Sequence, residues 1–222
     1  MLFGIFVVIF AACMALLYQD GLWGNAVRLI NLVTAALLAT NYFEPVANYL
    51  DRDGMLPSYT YFWDFLALWG LFALFLVIFR AATDSISRVQ VRFLKLADQI
   101  GSVLCSAWIG WVMVSFTAFS LHLAPLGREF LGGSFVPEQR VEKGGAELYW
   151  LGFVQRVSRG QFARGLSETE VTANRYASQQ EQRPGEEKLA VFDRTGGLLP
   201  KYATRRARLQ SHVESTGAAR VP

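Results

Sequence analysis

The chain has 222 residues, of which 53% are hydrophobic and only 18% charged, with a mean hydropathy of +0.27. A soluble domain carries about a quarter charged residues, whereas residues 1–127 here hold 13 (six basic, seven acidic) and residues 128–222 hold 26 (15 basic, 11 acidic). That division excludes a single soluble globule, the apolar first part excludes wholesale disorder, and a net charge of only +3 gives no basis for nucleic-acid binding.

A hydrocarbon core about 30 Å thick needs about 20 mostly apolar residues in a helix. The first candidate span, about residues 1–18, carries no charge. No Lys or Arg precedes its apolar run, so a cleaved signal, which starts with a basic segment, is not expected. The second span, about 22–43, carries Asn25, Arg28, Asn31 and Asn41. Only residues 19–21 separate the two, which predicts an antiparallel hairpin.

Residues 44–58 are acidic and bracketed by Pro45 and Pro57, expected to break helices. The third span, about 59–79, contains one acid, Asp64. Between it and the fourth, Ile86, Val89, Phe93, Leu96 and Ile100 recur at helical spacing, with Arg88, Arg92 and Lys95 as a basic stripe beside them. This predicts an amphipathic helix, lying at a membrane surface with those three cations towards headgroups or extending span three onto its neighbours. The fourth span, about 100–126, has His122 as its one ionisable group. The positive-inside rule then makes loop 80–99 cytoplasmic and both termini external.

Small residues at four-residue spacing let helix backbones approach closely. Gly101 with Cys105, and Ser102 with Ser106 and Gly110, form such ladders in span four; Asn31, Ala35 and Ala39 form one in span two. They predict a helix–helix seam, within the chain or between copies. Arg28 and Asp64 are the intramembrane ionisable candidates, since charge inside a span is costly. Antiparallel spans put them at depths about 13 Å apart, so each is expected to reach its nearer interface, with Asp20 in range of Arg28. His122 is expected at the interface.

Beyond Gly127 the composition turns polar, with glycine pairs at 132–133 and 144–145. Residues 146–162 place Leu148, Leu151, Val154 and Val157 on one stripe, predicting a short helix on the membrane or on the first domain. Residues 166–188 read as a mobile polar stretch, and 193–197 as a turn between two short extended pieces. Lys201, Arg205, Arg206 and Arg208 form a basic cluster on a short helix, expected to be a solvated face rather than a surface that docks on phospholipid or an acidic partner. The fold expected is therefore an all-α membrane protein. It has a four-helix transmembrane domain over 1–127, with the amphipathic helix between spans three and four, and a partly ordered polar tail over 128–222.

No phosphate loop, metalloprotease helix, nucleophile elbow or metal-ligand spacing occurs, and Cys13 and Cys105 lie singly in apolar runs. No enzyme activity, cofactor or metal is expected. A charge-free first span runs into Gln19-Asp20-Gly21-Leu22-Trp23-Gly24, then a second span with Arg28-Leu29-Ile30-Asn31-Leu32-Val33. Later, Ala97-Asp98-Gln99-Ile100-Gly101 opens a last span rich in small residues. In this order, over about residues 1–125, the chain resembles the CvpA-like family, the colicin V production proteins of bacterial inner membranes. It departs from the family at Asp20, where Arg is usual, and at Cys105, where a Gly repeat is usual.

The resemblance implies a multi-pass inner-membrane protein linked to toxin production or export, with no catalytic residues to carry over. The expected partners are the lipid bilayer and a secretion or envelope protein. An alternative is an oligomeric small-solute transporter or channel subunit, which requires a homo-oligomer sealed by span two or span four.

Overall fold

A computed structural model describes residues 2–52, 62–86, 94–126, 145–158, 164–165, 189–190, 192–193 and 198–218. In chain order the described elements are α1 (Leu2–Leu17), a single 3-10 turn (Tyr18–Asp20), α2 (Gly21–Arg52), α3 (Trp63–Ile86), α4 (Lys95–Leu123), α5 (Ala146–Ser158), β1 (Arg164–Gly165), β2 (Leu189–Ala190) and α6 (Leu198–Ala218). Arg88, Arg92 and the stripe from Val89 to Phe93 lie outside the described residues, as do residues 127–144 and 166–188.

Three helical stretches are long and apolar enough to cross a membrane: Leu2–Leu50, Trp63–Ser85 and Lys95–Leu123. The first reverses direction within itself. Leu2 and Phe6 pack with Val114 and Ala118 of α4, Phe10 lies against Gly110, and Ser106 contacts Met14, so α1 runs antiparallel to α4. Past the turn, Leu22 lies against Gly101, Asn25 bonds Ser102, and Phe43 meets Phe119 edge-on at 6.2 Å; α2 therefore runs parallel to α4. Gly21 makes this reversal possible. Its φ is +78°, a region that side chains with a Cβ rarely enter.

Two boundaries differ from the sequence expectation. Pro45 does not end α2 but sits inside it, and the helix continues to Arg52. Proline cannot donate to the carbonyl of Asn41 four residues back. The packing of Phe43 and Ala47, both almost fully buried, holds the helix on either side of that gap. Helix α3 runs past residue 79 to Ile86, and α4 begins at Lys95, so both ends of the basic loop belong to the long helices. At its other end α4 stops before Pro125, with Ala124 in the extended conformation imposed on a residue preceding proline.

Helix α2 packs along both α3 and α4. Helices α3 and α4 touch each other chiefly where Phe116 meets Trp69 at 5.4 Å and Phe72 at 4.7 Å. Among the described residues the three helices therefore form a V with α2 as its floor, closed by aromatics towards the tail and open towards Thr83 and Lys95.

The tail shares the core of these helices. Trp150, Leu151 and Val154 of α5, Phe192, and Leu198, Leu199 and Tyr202 of α6 join Leu32, Ala36, Phe43, Leu68, Phe116 and Phe119 in one apolar cluster. Helix α5 thus sits on the first domain, mainly on α4. The stretch after the turn at 192–193 is helical from Leu198 rather than extended. The two-residue strands pair with each other antiparallel, Arg164 opposite Ala190 and Gly165 opposite Leu189. Asp193 holds a left-handed backbone conformation (φ 43°). Its carboxylate accepts the Leu198 N–H at 2.9 Å, and its carbonyl accepts from Gln155 Nε2 at 2.8 Å. One short turn thereby caps α6 and ties it to α5.

Candidate functional site

The polar groups of the bundle gather at its two ends. At the loop end, the stretches around residues 20 and 98 meet. The carboxylate of Asp98 on α4 accepts the Leu22 N–H at 2.8 Å, satisfying an orphan donor at the start of α2. A Cβ on Gly21 would lie 3.3 Å from that carboxylate, and a Cβ on Gly101 only 2.5 Å from Leu22. Asn25, fully buried, donates to the Leu17 carbonyl at 2.6 Å and to Ser102 Oγ at 2.9 Å. Ser102 Oγ donates in turn to the Tyr18 carbonyl at 2.7 Å. This node fastens the hairpin to α4. In the sequence Asn25 stands out only as one of the polar residues of the second span, and its spacing four residues after Gly21 is the signal that marks it.

The small residues are distributed as follows. Gly101 and Ser102 face the start of α2, Gly110 faces Phe10, and Ser106 donates to the Val103 carbonyl at 2.9 Å beside Met14. Cys105 is half-buried with a free thiol. Asn31 bonds Thr83 of α3 through Nδ2 at 2.9 Å, while Ala35 and Ala39 are fully buried in the core. Within the described residues, these positions other than Cys105 lie at contacts inside one chain.

Arg28 forms an ion pair with Asp20. The pair borders a cavity of about 740 Å³ set in the V. Gly24, Val27, Arg28 and Asn31 form its floor along one face of α2, and Leu76, Arg80, Thr83 and Asp84 form one wall. Lys95, Asp98 and Ile109 form the other wall. Lys95 is exposed and begins α4.

The tail end is drier. His122 and Glu147 are fully buried, with Nε2 and Oε1 3.2 Å apart. His122 is therefore an internal group beneath α5, not an interfacial one, because the helix after residue 145 covers it. Asp64, 8% exposed at its side chain, pairs with Arg205 of α6; Lys201 reaches Glu44 at 2.8 Å; Arg206 donates to the His122 carbonyl at 2.9 Å. The basic cluster is thus not simply a solvated face. Three of its members reach α2, α3 and α4, through Glu44, Asp64 and the His122 carbonyl, although Lys201, like Arg208, is itself exposed. Asp64 meets no Arg28, in keeping with their opposite ends, but its true partner lies 141 residues away. Thr40 accepts from Trp150 Nε1 at 3.2 Å. Burial, with the charges of Asp64 and Glu44 nearby, pushes the Tyr202 hydroxyl well above the ordinary tyrosine range.

No group of three or more His, Cys, Asp or Glu residues suited to a metal ion occurs among the described residues.

These helices make the chain a multi-pass membrane protein, with polar groups at both ends of an apolar bundle. Residues 4–138 match the family model described as Colicin V production protein. The chain belongs to that family. No curated protein and no solved structure matches it.

Proposed function

We propose that the protein is a non-enzymatic inner-membrane component of a bacterial envelope, supporting production or export of a colicin V-type toxin. In this reading it acts as a packed helical scaffold for a secretion or envelope partner. Helices α1 and α2 cross the membrane separately, making four crossings, with both chain termini on the side away from the basic loop. The observation that carries the four crossings is the reversal at Gly21, where α1 runs against α4 and α2 runs with it. Sixteen residues give α1 a length of about 24 Å, short for a hydrocarbon core but within reach of a locally thinned bilayer.

The scaffold reading is supported by how the polar groups within the bundle are employed. Asn25, Ser102, Asn31 and Thr83 bond one another across helix contacts. The alternative, an oligomeric transporter or channel subunit, draws on the cavity between α3 and α4. It also requires a seam between copies, whereas Gly101, Ser106 and Gly110 already face α1 and α2 of the same chain.

Topology is tested with an impermeant maleimide on cells whose outer barrier is opened. A cysteine tag ahead of Met1 and Ser211→Cys should react together, while Ser85→Cys should react only after lysis. Reaction of the tag and Ser211→Cys from opposite sides would reduce the crossings to three. The role is tested in a toxin-producing strain: deleting the gene should lower released toxin and complementation should restore it. Unchanged release would remove the toxin reading, and solute flux from the purified protein in liposomes would favour the channel.

A further inference from the structure

The cavity in the V combines an apolar wall with a charged rim. Towards the middle of the helices it is walled by Leu32, Leu76 and Ile109. Towards the loop end its rim carries three cations, Arg28, Arg80 and Lys95, and three carboxylates, Asp20, Asp84 and Asp98. With α2, α3 and α4 in a bilayer, a reading this inference rests on, the rim lies near headgroup depth and the apolar walls extend from it towards the hydrocarbon.

The rim charges are not all committed to one another. Arg28 is held by Asp20, and Asp98 by the start of α2. Arg80 and Asp84 stand 3.8 Å apart on an exposed turn, their side chains 76% and 74% accessible. Lys95 forms no ion pair with a described residue. A purely anionic ligand would meet as many carboxylates as cations here. A soluble zwitterion would leave the apolar walls unfilled. An amphiphile with a phosphate and a protonated amine fits both the charge balance and the walls, and about 740 Å³ is the size of a small-molecule site.

We propose that this cavity binds a phospholipid with a primary-amine headgroup. Its phosphate lies between Lys95 and Arg80, its ammonium donates to Asp84, and its upper acyl chain runs between α3 and α4 along Leu76 and Ile109. A primary amine is required because a carboxylate accepts N–H donors, which a quaternary ammonium lacks.

Trp23 also lines the cavity, so its emission, taken as the difference between the wild-type protein and Trp23→Phe, reports occupancy. The protein in detergent micelles is titrated with short-chain phosphatidylethanolamine, and in parallel with phosphatidylcholine and phosphatidylglycerol of the same chains and with phosphorylethanolamine. Phosphatidylethanolamine should give a saturable change, and the other three a weaker one or none. Lys95→Gln and Arg80→Gln should each weaken binding about tenfold, the loss of one charge-assisted contact. Both residues are exposed, so the melting temperature should hold. Lys201→Gln, at the opposite end, should bind as the wild type does.

Absence of saturation, or an effect of Lys201→Gln equal to that of Lys95→Gln, would overturn the proposal. Equal binding of phosphatidylcholine or phosphatidylglycerol would overturn the primary-amine headgroup, and equal binding of phosphorylethanolamine would replace the lipid with a soluble zwitterion. Because binding is read in micelles and topology by labelling, failure of one is distinguishable from failure of the other.

Discussion

The two ends of the bundle use similar residues to opposite effect. At the tail end, His122 and Glu147 have no exposed side-chain surface, and Asp64 is nearly covered by Arg205. At the loop end, Arg80 and Asp84 are mostly solvent-accessible although they form a pair of the same kind. Among the described residues, the difference is the cover: helices α5 and α6 lie over the first end, while at the second α3 and α4 separate and leave a cavity. A charge without solvent depends on its partner, whereas an exposed one contributes little to stability and remains available to a ligand.

Substitutions should sort by end. The largest effect is expected for Glu147→Ala, which removes a fully buried hydrogen bond to His122 Nε2 and should cost about 3 kcal/mol. Thermal unfolding in micelles, with proteolysis to detect release of α5, measures it; a neutral result would mean that the tail end is as tolerant as the loop end. Gly110→Leu forces a side chain to within 2.8 Å of Phe10 and should cost about 2–3 kcal/mol by overpacking, read in the same melt. Asp64→Asn keeps the shape and removes the charge facing Arg205, for a loss of about 2 kcal/mol. Hydrogen exchange should show it as faster exchange confined to α6.

Alkaline pH separates the ends without mutation. Tyr202 has a raised pKa in the folded chain, so its contribution is complete below the unfolded value of about 10 and is lost as pH rises above it. The docking of α6 should loosen above pH about 10, and Tyr202→Phe should remove that component. Smallest of all, Lys201→Ala should cost under about 1 kcal/mol and Arg80→Ala close to nothing, because both pairs are solvent-exposed. If Arg80→Ala destabilised as much as Asp64→Asn, the contrast between the ends would collapse.

The apolar helices and the reversal between α1 and α2 were legible because length, charge depletion and a three-residue connection act locally. So was the pairing of Arg28 with Asp20, eight residues apart at one end of a helix. The ion pairs of the tail were not. Arg205 reads as one more surface arginine until α6 is laid over Asp64, 141 residues earlier. His122 likewise reads as interfacial until α5 covers it. Pro45 lies inside a helix for a related reason: its local preference to end one is overridden by the burial of Phe43 and Ala47 around it.

The sequence by itself determined the membrane as solvent and the family, since both rest on composition and on the order of short motifs. Tertiary structure alone decided that the basic tail folds back onto its own helices, and that α3 and α4 part to form a charged, apolar-walled cavity. Both outcomes depend on pairings across long separations, where the energy lies in burial and geometry rather than in any local preference of the chain.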